Sequence, residues 1–200
     1  MCIHSAGEWW MKRTAGILLA GGQSRRFGSS KAFAEYKGAP FYHYSLQALN
    51  PFCEEIIVAT RTEFVDKFPK DLCVTTDLVK FSGMGPLAGI LSGMEAVKAD
   101  HYIVLPCDMP FIQQRVIARL VDEHSGDVSA VTVEGKRHPL VSIWQASAKP
   151  MIRRALIEDN RRVMHVQAQL NGRWIEGSSL TDSPKLVFKN VNTPCEIERR

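Results

Sequence analysis

An apolar run, Gly16-Ile17-Leu18-Leu19-Ala20, stops abruptly at Gly21-Gly22. A run this short and this apolar, closed by turn residues, reads as a buried strand. The glycine pair lets the backbone turn freely at its end. Arg25, Arg26, Gly28 and Lys31 come within the next nine residues. Glycines allow backbone N–H groups to approach an anion with no Cβ in the way. Arginine forks match phosphate oxygens in pairs, and lysine adds a compact positive charge. The stretch therefore reads as a strand-end loop that wraps a polyphosphate. On its glycines alone it is equally an ordinary strand-to-helix turn with solvated arginines.

The spacing excludes two familiar phosphate loops. Five residues separate Gly22 from Gly28, and Lys31 lies three beyond it. A Walker A loop has four residues between its glycines and then Gly-Lys-Ser/Thr. The Gly-x-Gly-x-x-Gly of dinucleotide-binding folds is also absent here.

Similar apolar runs recur. Glu55–Thr60, Leu72–Thr76 and Tyr102–Leu105 read as further strands. Helical segments are expected from Pro40 to about Asn50 and from Glu63 to Phe68, with an extended piece over Ala32–Tyr36. Strands alternating with helices imply an α/β chain with a parallel, helix-covered sheet. After Pro86, the residues Leu87, Ile90, Leu91, Met94 and Val97 form a stripe at helical spacing. Gly89 and Gly93 interrupt it at a cost in helix stability, which points to close packing or close ligand approach. Ile112 to Val121 carries another amphipathic helix.

Asp127–Val133 and Pro139–Trp144 are joined by a short hairpin-like turn, Glu134-Gly135-Lys136-Arg137, so they are expected to pair antiparallel. Helices are expected over Ala148–Glu158 and Arg161–Leu170, the second capped by Asp159-Asn160. The segment from Gly172 to Ser183 reads as turns with Trp174 covering the core. Lys185–Lys189 reads as a last strand, and Pro194–Arg200 as a terminal helix.

Two carboxylates stand out. Asp77 ends the third strand, and Asp108 comes after the fourth in Pro106-Cys107-Asp108-Met109-Pro110. The edge where strands of an open α/β sheet end is where such sheets bind ligands. By position alone Asp108 reads as a cap of the next helix or a turn former. In the constellation it faces phosphate donors as a candidate Mg²⁺ ligand, since magnesium takes oxygen ligands from one or two carboxylates and substrate phosphates.

The net charge of +4 among 200 residues suits small anionic substrates and does not require nucleic acid. Five scattered cysteines form no zinc spacing and suit a reducing cytoplasm. No run approaches the roughly 20 apolar residues of a membrane span. Residues 1–13 read as an extension without function, and 14–200 as one domain.

The joint order of the motifs resembles the MobA family, the molybdenum cofactor guanylyltransferases. The motifs are Leu19-Ala20-Gly21-Gly22 with Arg26 and Lys31, Asp77 before Gly85-Pro86-Leu87-Ala88-Gly89, and Cys107-Asp108-Met109-Pro110. His138-Pro139, Arg161-Arg162-Val163-Met164 and Asn190-Val191-Asn192-Thr193-Pro194 complete the set. The resemblance implies a three-layer, Rossmann-like, mostly parallel sheet with an antiparallel part, the nucleotide-diphospho-sugar transferase fold. It implies transfer of GMP from GTP to the molybdenum cofactor with release of pyrophosphate. Leu19, Ala20, Gly21, Gly22, Lys31, Asp77 and Asp108 would bind the nucleotide, and Asp108 the Mg²⁺. Arg26, Lys31 and Asp108 would be catalytic. Arg161, Arg162, Asn190 and Asn192 would face the acceptor, although on spacing alone Arg161 and Arg162 read as a solvated helix end. Molybdoenzymes or cofactor-handling proteins would be transient partners, with no nucleic acid or membrane involved.

Phe27 and Ala59 depart from residues common in relatives, and Ala59 removes one expected nucleotide contact. The alternatives are a molybdopterin cytidylyltransferase, a sugar-1-phosphate nucleotidyltransferase, or a non-catalytic nucleotide-binding module. The glycine pair favours guanylyl over cytidylyl transfer.

Overall fold

The computed structural model describes residues 12–22 and 31–191. Arg25, Arg26, Gly28, Asn192 and the expected Pro194–Arg200 helix lie outside them. The chain begins with β1 (Thr14–Leu19). A 3₁₀ turn over Lys31–Phe33 leads into a two-stranded hairpin of β2 (Glu35–Tyr36) and β3 (Ala39–Pro40). The expected extended piece over Ala32–Tyr36 is thus mostly turn. Then come α1 (Phe41–Leu49), β4 (Glu55–Thr60), a 3₁₀ segment over Thr62–Lys67 and β5 (Cys73–Thr76). Next are α2 (Pro86–Ala96), β6 (His101–Pro106) and α3 (Gln114–Glu123). The second half holds β7 (Val128–Val133), β8 (Lys136–Gln145), α4 (Lys149–Ile157) and α5 (Val163–Gln169). It closes with β9 (Arg173–Glu176), α6 (Gly177–Leu180) and α7 (Pro184–Val187).

The seven-stranded sheet runs β5-β4-β1-β6-β8-β7-β9. β5, β4, β1 and β6 pair in parallel, β8 is antiparallel to both β6 and β7, and β9 is parallel to β7. The expected mixed α/β sheet is therefore present. Its central strands are apolar on both faces because both are covered. Ile17, Ile57, Tyr102, Val104 and Trp144 meet α2, α4 and α5 on one side. Ile103, Leu105, Val131 and Ile143 meet α1, α3 and α6 on the other.

Four expectations in the second half fail. Lys185–Lys189 is not a strand, because α7 occupies Pro184–Val187. Pro184 presets the first helical turn, which outweighs the strand-like Leu186-Val187-Phe188 composition. The last strand is instead β9, inside the stretch read as turns. It spans only four residues, and only Ile175 of them is buried, so its alternation is too short to register. On it Trp174 is half-buried beneath the Arg137 guanidinium, 4.8 Å from the ring centre. The third concerns α5, which starts at Val163 with Arg162 as its cap residue. Asn160 Oδ1 accepts from the Arg162 backbone N–H at 3.3 Å, outside the helix. Likewise β8 starts three residues before Pro139, at Lys136.

The stripe on α2 packs as read. A Cβ placed on Gly93 would lie 2.9 Å from both Cδ1 and Cγ1 of Ile17 on β1. The glycine lets α2 approach the sheet, and its helix cost is offset by that contact. Gly93→Ala should lower the melting temperature. Overpacking costs roughly 1–3 kcal/mol and exceeds the ~1 kcal/mol gained in helix propensity. Adding Ile17→Val should recover part of the loss, so the double variant is less destabilised than the sum of the singles.

At the edge of the sheet where β6 begins, His101 and His124 meet edge-to-face with ring centres 5.5 Å apart. Burial, then the neighbouring His101, Lys12 and Arg173, push His124 down to about 4. Burial also lowers His101. Unfolded histidine titrates near pH 6.5, so the unfolded chain binds more protons below that value. The stability these rings contribute is complete above about pH 6.5 and is lost as pH falls toward about 4. Denaturant midpoints should fall across that window, and His124→Asn, which retains a partner for Ser129, should flatten the slope.

Candidate active site

β1 lies between β4 and β6, and the chain order reverses there. β4 and β5 extend to one side of β1, and β6 returns on the other. Open α/β sheets bind ligands beyond the strand ends at such a point. A cavity of about 650 Å³ opens there among the described residues. Backbone bonds carry the ladder past the strands into it. Ala20 N–H donates to Ala59 O at 2.8 Å, and Cys107 N–H to Leu19 O at 3.1 Å. The second bond sets the loop after β6 beside the loop after β1.

Asp108 enters the cavity from the first of those loops. It does not cap a helix, because α3 begins at Gln114 with Gln113 as its cap residue. Lys31 Nζ lies 3.2 Å from Asp108 Oδ2, and the side chains keep only 16% and 20% of their exposure. The next two residues anchor the lysine. Ala32 is fully buried, and the Phe33 ring stands 4.8 Å from that of Phe68 and 5.9 Å from that of Tyr42. Asn190 Nδ2 donates to both Asp108 oxygens, at 3.1 Å each.

Leu19, Ala20, Gly21 and Gly22 line the same cavity, as do Lys31, Asp77 and Asn190. The structure thus brings together every described residue predicted for the nucleotide side, and one of the acceptor set. Arg161 and Arg162 are exposed and are not among the lining residues. Arg161 pairs with Asp159 at 2.8 Å.

Asp77 Oδ2 accepts from Gly83 N–H at 3.0 Å, and burial raises its carboxyl above the usual range. That bond closes a loop in which Gly83 and Gly85 have φ of +74° and +81°, values that favour glycine. The loop is also tied to α2, where Ser92 Oγ accepts from Leu78 N–H at 2.8 Å. Gly89 and Ala59 share a wall of the cavity. A Cβ on Gly89 would lie 3.1 Å from Leu19 Cδ2, 3.6 Å from Ala59 Cβ and 3.9 Å from Asp77 Oδ1. The missing asparagine at 59 is thus replaced by a small apolar surface.

Several lining residues escaped the sequence reading. Thr60 is buried and its Oγ1 donates to Ala20 O at 3.3 Å, which steadies the carbonyl before the glycine pair. Arg61 and Glu63 form an ion pair at 2.7 Å on the rim. The strand-end rule that picked out Gly21, Asp77 and Asp108 applies equally to β4, and would have found Arg61. Leu140 enters from a bulge in β8, where Ala130 pairs with Ser142 but Val131 with His138. No sequence signal marks that bulge beyond Pro139. Cys107 is buried, and burial pushes its thiol up to about 12, so it packs and does not react.

Chemically, the cavity joins a glycine-lined strand end, the Lys31 ammonium and the carboxylates of Asp77 and Asp108. Among the described residues no group of three or more His, Cys, Asp and Glu can hold a metal. A hard cation at Asp108 would therefore complete its shell with ligand oxygens, the habit of magnesium. The donor set fits that ion.

Residues 16–173 match the family of MobA-like NTP transferase domains. A probable molybdenum cofactor guanylyltransferase of Bacillus cereus (strain AH820) is 33% identical over 190 residues, 93% of this chain and 94% of its own. One of Bacillus anthracis (strain CDC 684 / NRRL 3495) is 34% identical over 191 residues, with the same coverage. The crystal structure of molybdopterin-guanine dinucleotide biosynthesis protein A from Archaeoglobus fulgidus superposes with a TM-score of 0.77 at 23% identity. The superposition covers 92% of this chain and 95% of that one, so the two share a fold. Full-length sequence similarity, a shared fold and a strand-end cavity built from the signature residues agree: the chain belongs to the MobA-like NTP transferase family.

Proposed function

We propose that the protein transfers GMP from GTP to the molybdenum cofactor, forming molybdopterin guanine dinucleotide and releasing pyrophosphate. The observation that carries this reading is Asp108 beside Lys31, facing the Gly21-Gly22 strand end at the switch point of the sheet. The names of the relatives supply the acceptor.

In this mechanism the nucleotide lies along Leu19–Gly22, with Asp77 toward the nucleoside. Lys31, already at the cavity, exchanges Asp108 for phosphate oxygens. Arg26 adds a second cation from the loop. Asp108 would hold a nucleotide-bound Mg²⁺, and the ion would supply positive charge against the triphosphate. The terminal phosphate of the cofactor attacks the α-phosphorus of GTP through an oxygen that is already ionised. A new phosphorus–oxygen bond forms as the bond to the β-phosphate bridge breaks, and pyrophosphate leaves. No general base is required, so catalysis is positioning plus charge neutralisation. Backbone groups that bond guanine would be left unpaired by another base.

On the acceptor side, Arg162 and Asn192 belong to the proposed molybdopterin-binding set together with Arg161, once its ion pair with Asp159 opens, whereas Asn190, predicted with them, is bonded to Asp108 and is assigned to that carboxylate instead. Transient contact with cofactor-handling proteins in the cytoplasm completes the reading. No helix of the described residues is long and apolar enough to cross a membrane.

The direct test incubates the protein with molybdopterin, Mg²⁺ and each of the four NTPs. Pyrophosphate release and the mass of the dinucleotide product are measured. GTP should give the highest kcat/KM, and comparable values for CTP would remove the guanylyl assignment. Asp108→Ala should stay folded and lose roughly 10²–10⁴ in rate. Lys31→Ala should raise KM for GTP or lower kcat while barely moving the melting temperature. Gly89→Ala should separate the nucleotide wall from the fold. The methyl gains helix propensity of up to about 1 kcal/mol, so Tm holds while GTP affinity drops.

A further inference from the structure

The Lys31 ammonium and the Asn190 amide both contact the Asp108 carboxylate, but they differ in kind. Lysine is charged and competes with any cation for the carboxylate. During nucleotidyl transfer it departs to the phosphates. The amide of Asn190 is neutral, so it can orient the carboxylate and leave its charge available. We infer that Asn190 is a positioning residue that acts through Asp108, holding the carboxylate in the orientation that receives the nucleotide's divalent cation. The inference rests on the guanylyltransferase reading and deepens it.

Geometry supports this at several points. Asn190 Nδ2 is equidistant from Oδ1 and Oδ2, at 3.1 Å. An ionised carboxylate only accepts, so the NH₂ end of the amide must face it. A donor shared by both oxygens fixes where the carboxylate sits and favours neither oxygen over the other. The next residue grips the backbone of the same aspartate, with Val191 N–H donating to Asp108 O at 2.9 Å. That segment is itself anchored, since Val187, Phe188 and Val191 are buried. Met109 is buried on the far side of Asp108, and Cys107 N–H is bonded to Leu19 O. Both ends of the Asn190–Asp108 contact are therefore fixed by the core. When Lys31 turns away, Asn190 still holds the carboxylate.

Groups that orient a metal ligand from behind typically change metal affinity or activity by roughly 10–100-fold when removed. The test uses the full chain with GTP and Mn²⁺ as a spectroscopic stand-in for Mg²⁺, reading free Mn²⁺ by electron paramagnetic resonance. Asn190→Ala should weaken Mn²⁺ binding in the GTP complex by roughly 10–100-fold. KM for molybdopterin, measured at saturating Mn²⁺, should stay at the wild-type value. Asn190→Ser is the second variant. It keeps the Val191 backbone bond and should show the same split.

Unchanged Mn²⁺ affinity in a folded variant overturns the inference. So does a raised molybdopterin KM with metal affinity intact, which would make Asn190 an acceptor contact. Loss of the fold in both variants would assign the residue to structure and overturn it as well. Failure of the wild-type protein to bind Mn²⁺ with GTP, or to transfer GMP, is a different result. It removes the functional reading itself, and this inference with it.

Discussion

The parallel pairing of β1 with β6 is the constraint on which the carboxyl edge of the sheet depends. Its register sets Leu19 opposite Pro106, and the next bond joins Cys107 to Leu19. The glycine strand end and the Asp108 loop therefore leave the sheet side by side. A slip of one residue would turn Ile17, Val104 and their neighbours toward the wrong helices and would part the two loops as well. The register is held by burial, because β6 is buried along its whole length. Core packing and site geometry are here one requirement.

Charge is arranged sparingly around that edge. One described cation, Lys31, meets the Asp108 carboxylate, while Asp77 is turned toward the Gly83 N–H on the α2 side. The two carboxylates thus have different neighbours. Burial raises Asp77 and a backbone donor offsets part of that. Asp108 has a lysine and an amide instead. Asp77 shapes the loop before α2, and in the proposed reaction Asp108 is the one that would meet a cation and phosphates.

Most of the parallel half was legible in the sequence, and the reason is physical. Strands such as Glu55–Thr60 and His101–Pro106 run through a covered sheet and are bounded by turn residues, so composition alone identifies them. The carboxyl-edge rule then placed Gly21, Asp77 and Asp108 together from strand order alone. Legibility ended where context overrides local preference. Pro184 turned a strand-like segment into α7, and four residues at Arg173–Glu176 became an edge strand because β7 offered them an unpaired side. The β8 bulge that delivers Leu140 has no signature but a proline. The partnership of Asn190 with Asp108 spans 82 positions in the chain, and no local pattern could have disclosed it.

That long-range contact bears on why the second half of the chain wraps back to the first. β8, β7 and β9 extend the sheet away from β1 and its cavity, and α6 and α7 cover it. The chain then returns to Asp108 through Asn190 and Val191. The return rests on buried side chains, Val187, Phe188 and Val191, so its position is as well determined as the core itself. A carboxylate at the mouth of a cavity would otherwise sample several rotamers, each at a small cost. Tying it to a packed segment removes that freedom before any ligand arrives, so the ordering cost is met during folding and not during binding. The second half of the chain therefore contributes to the cavity by rigidity as well as by contact.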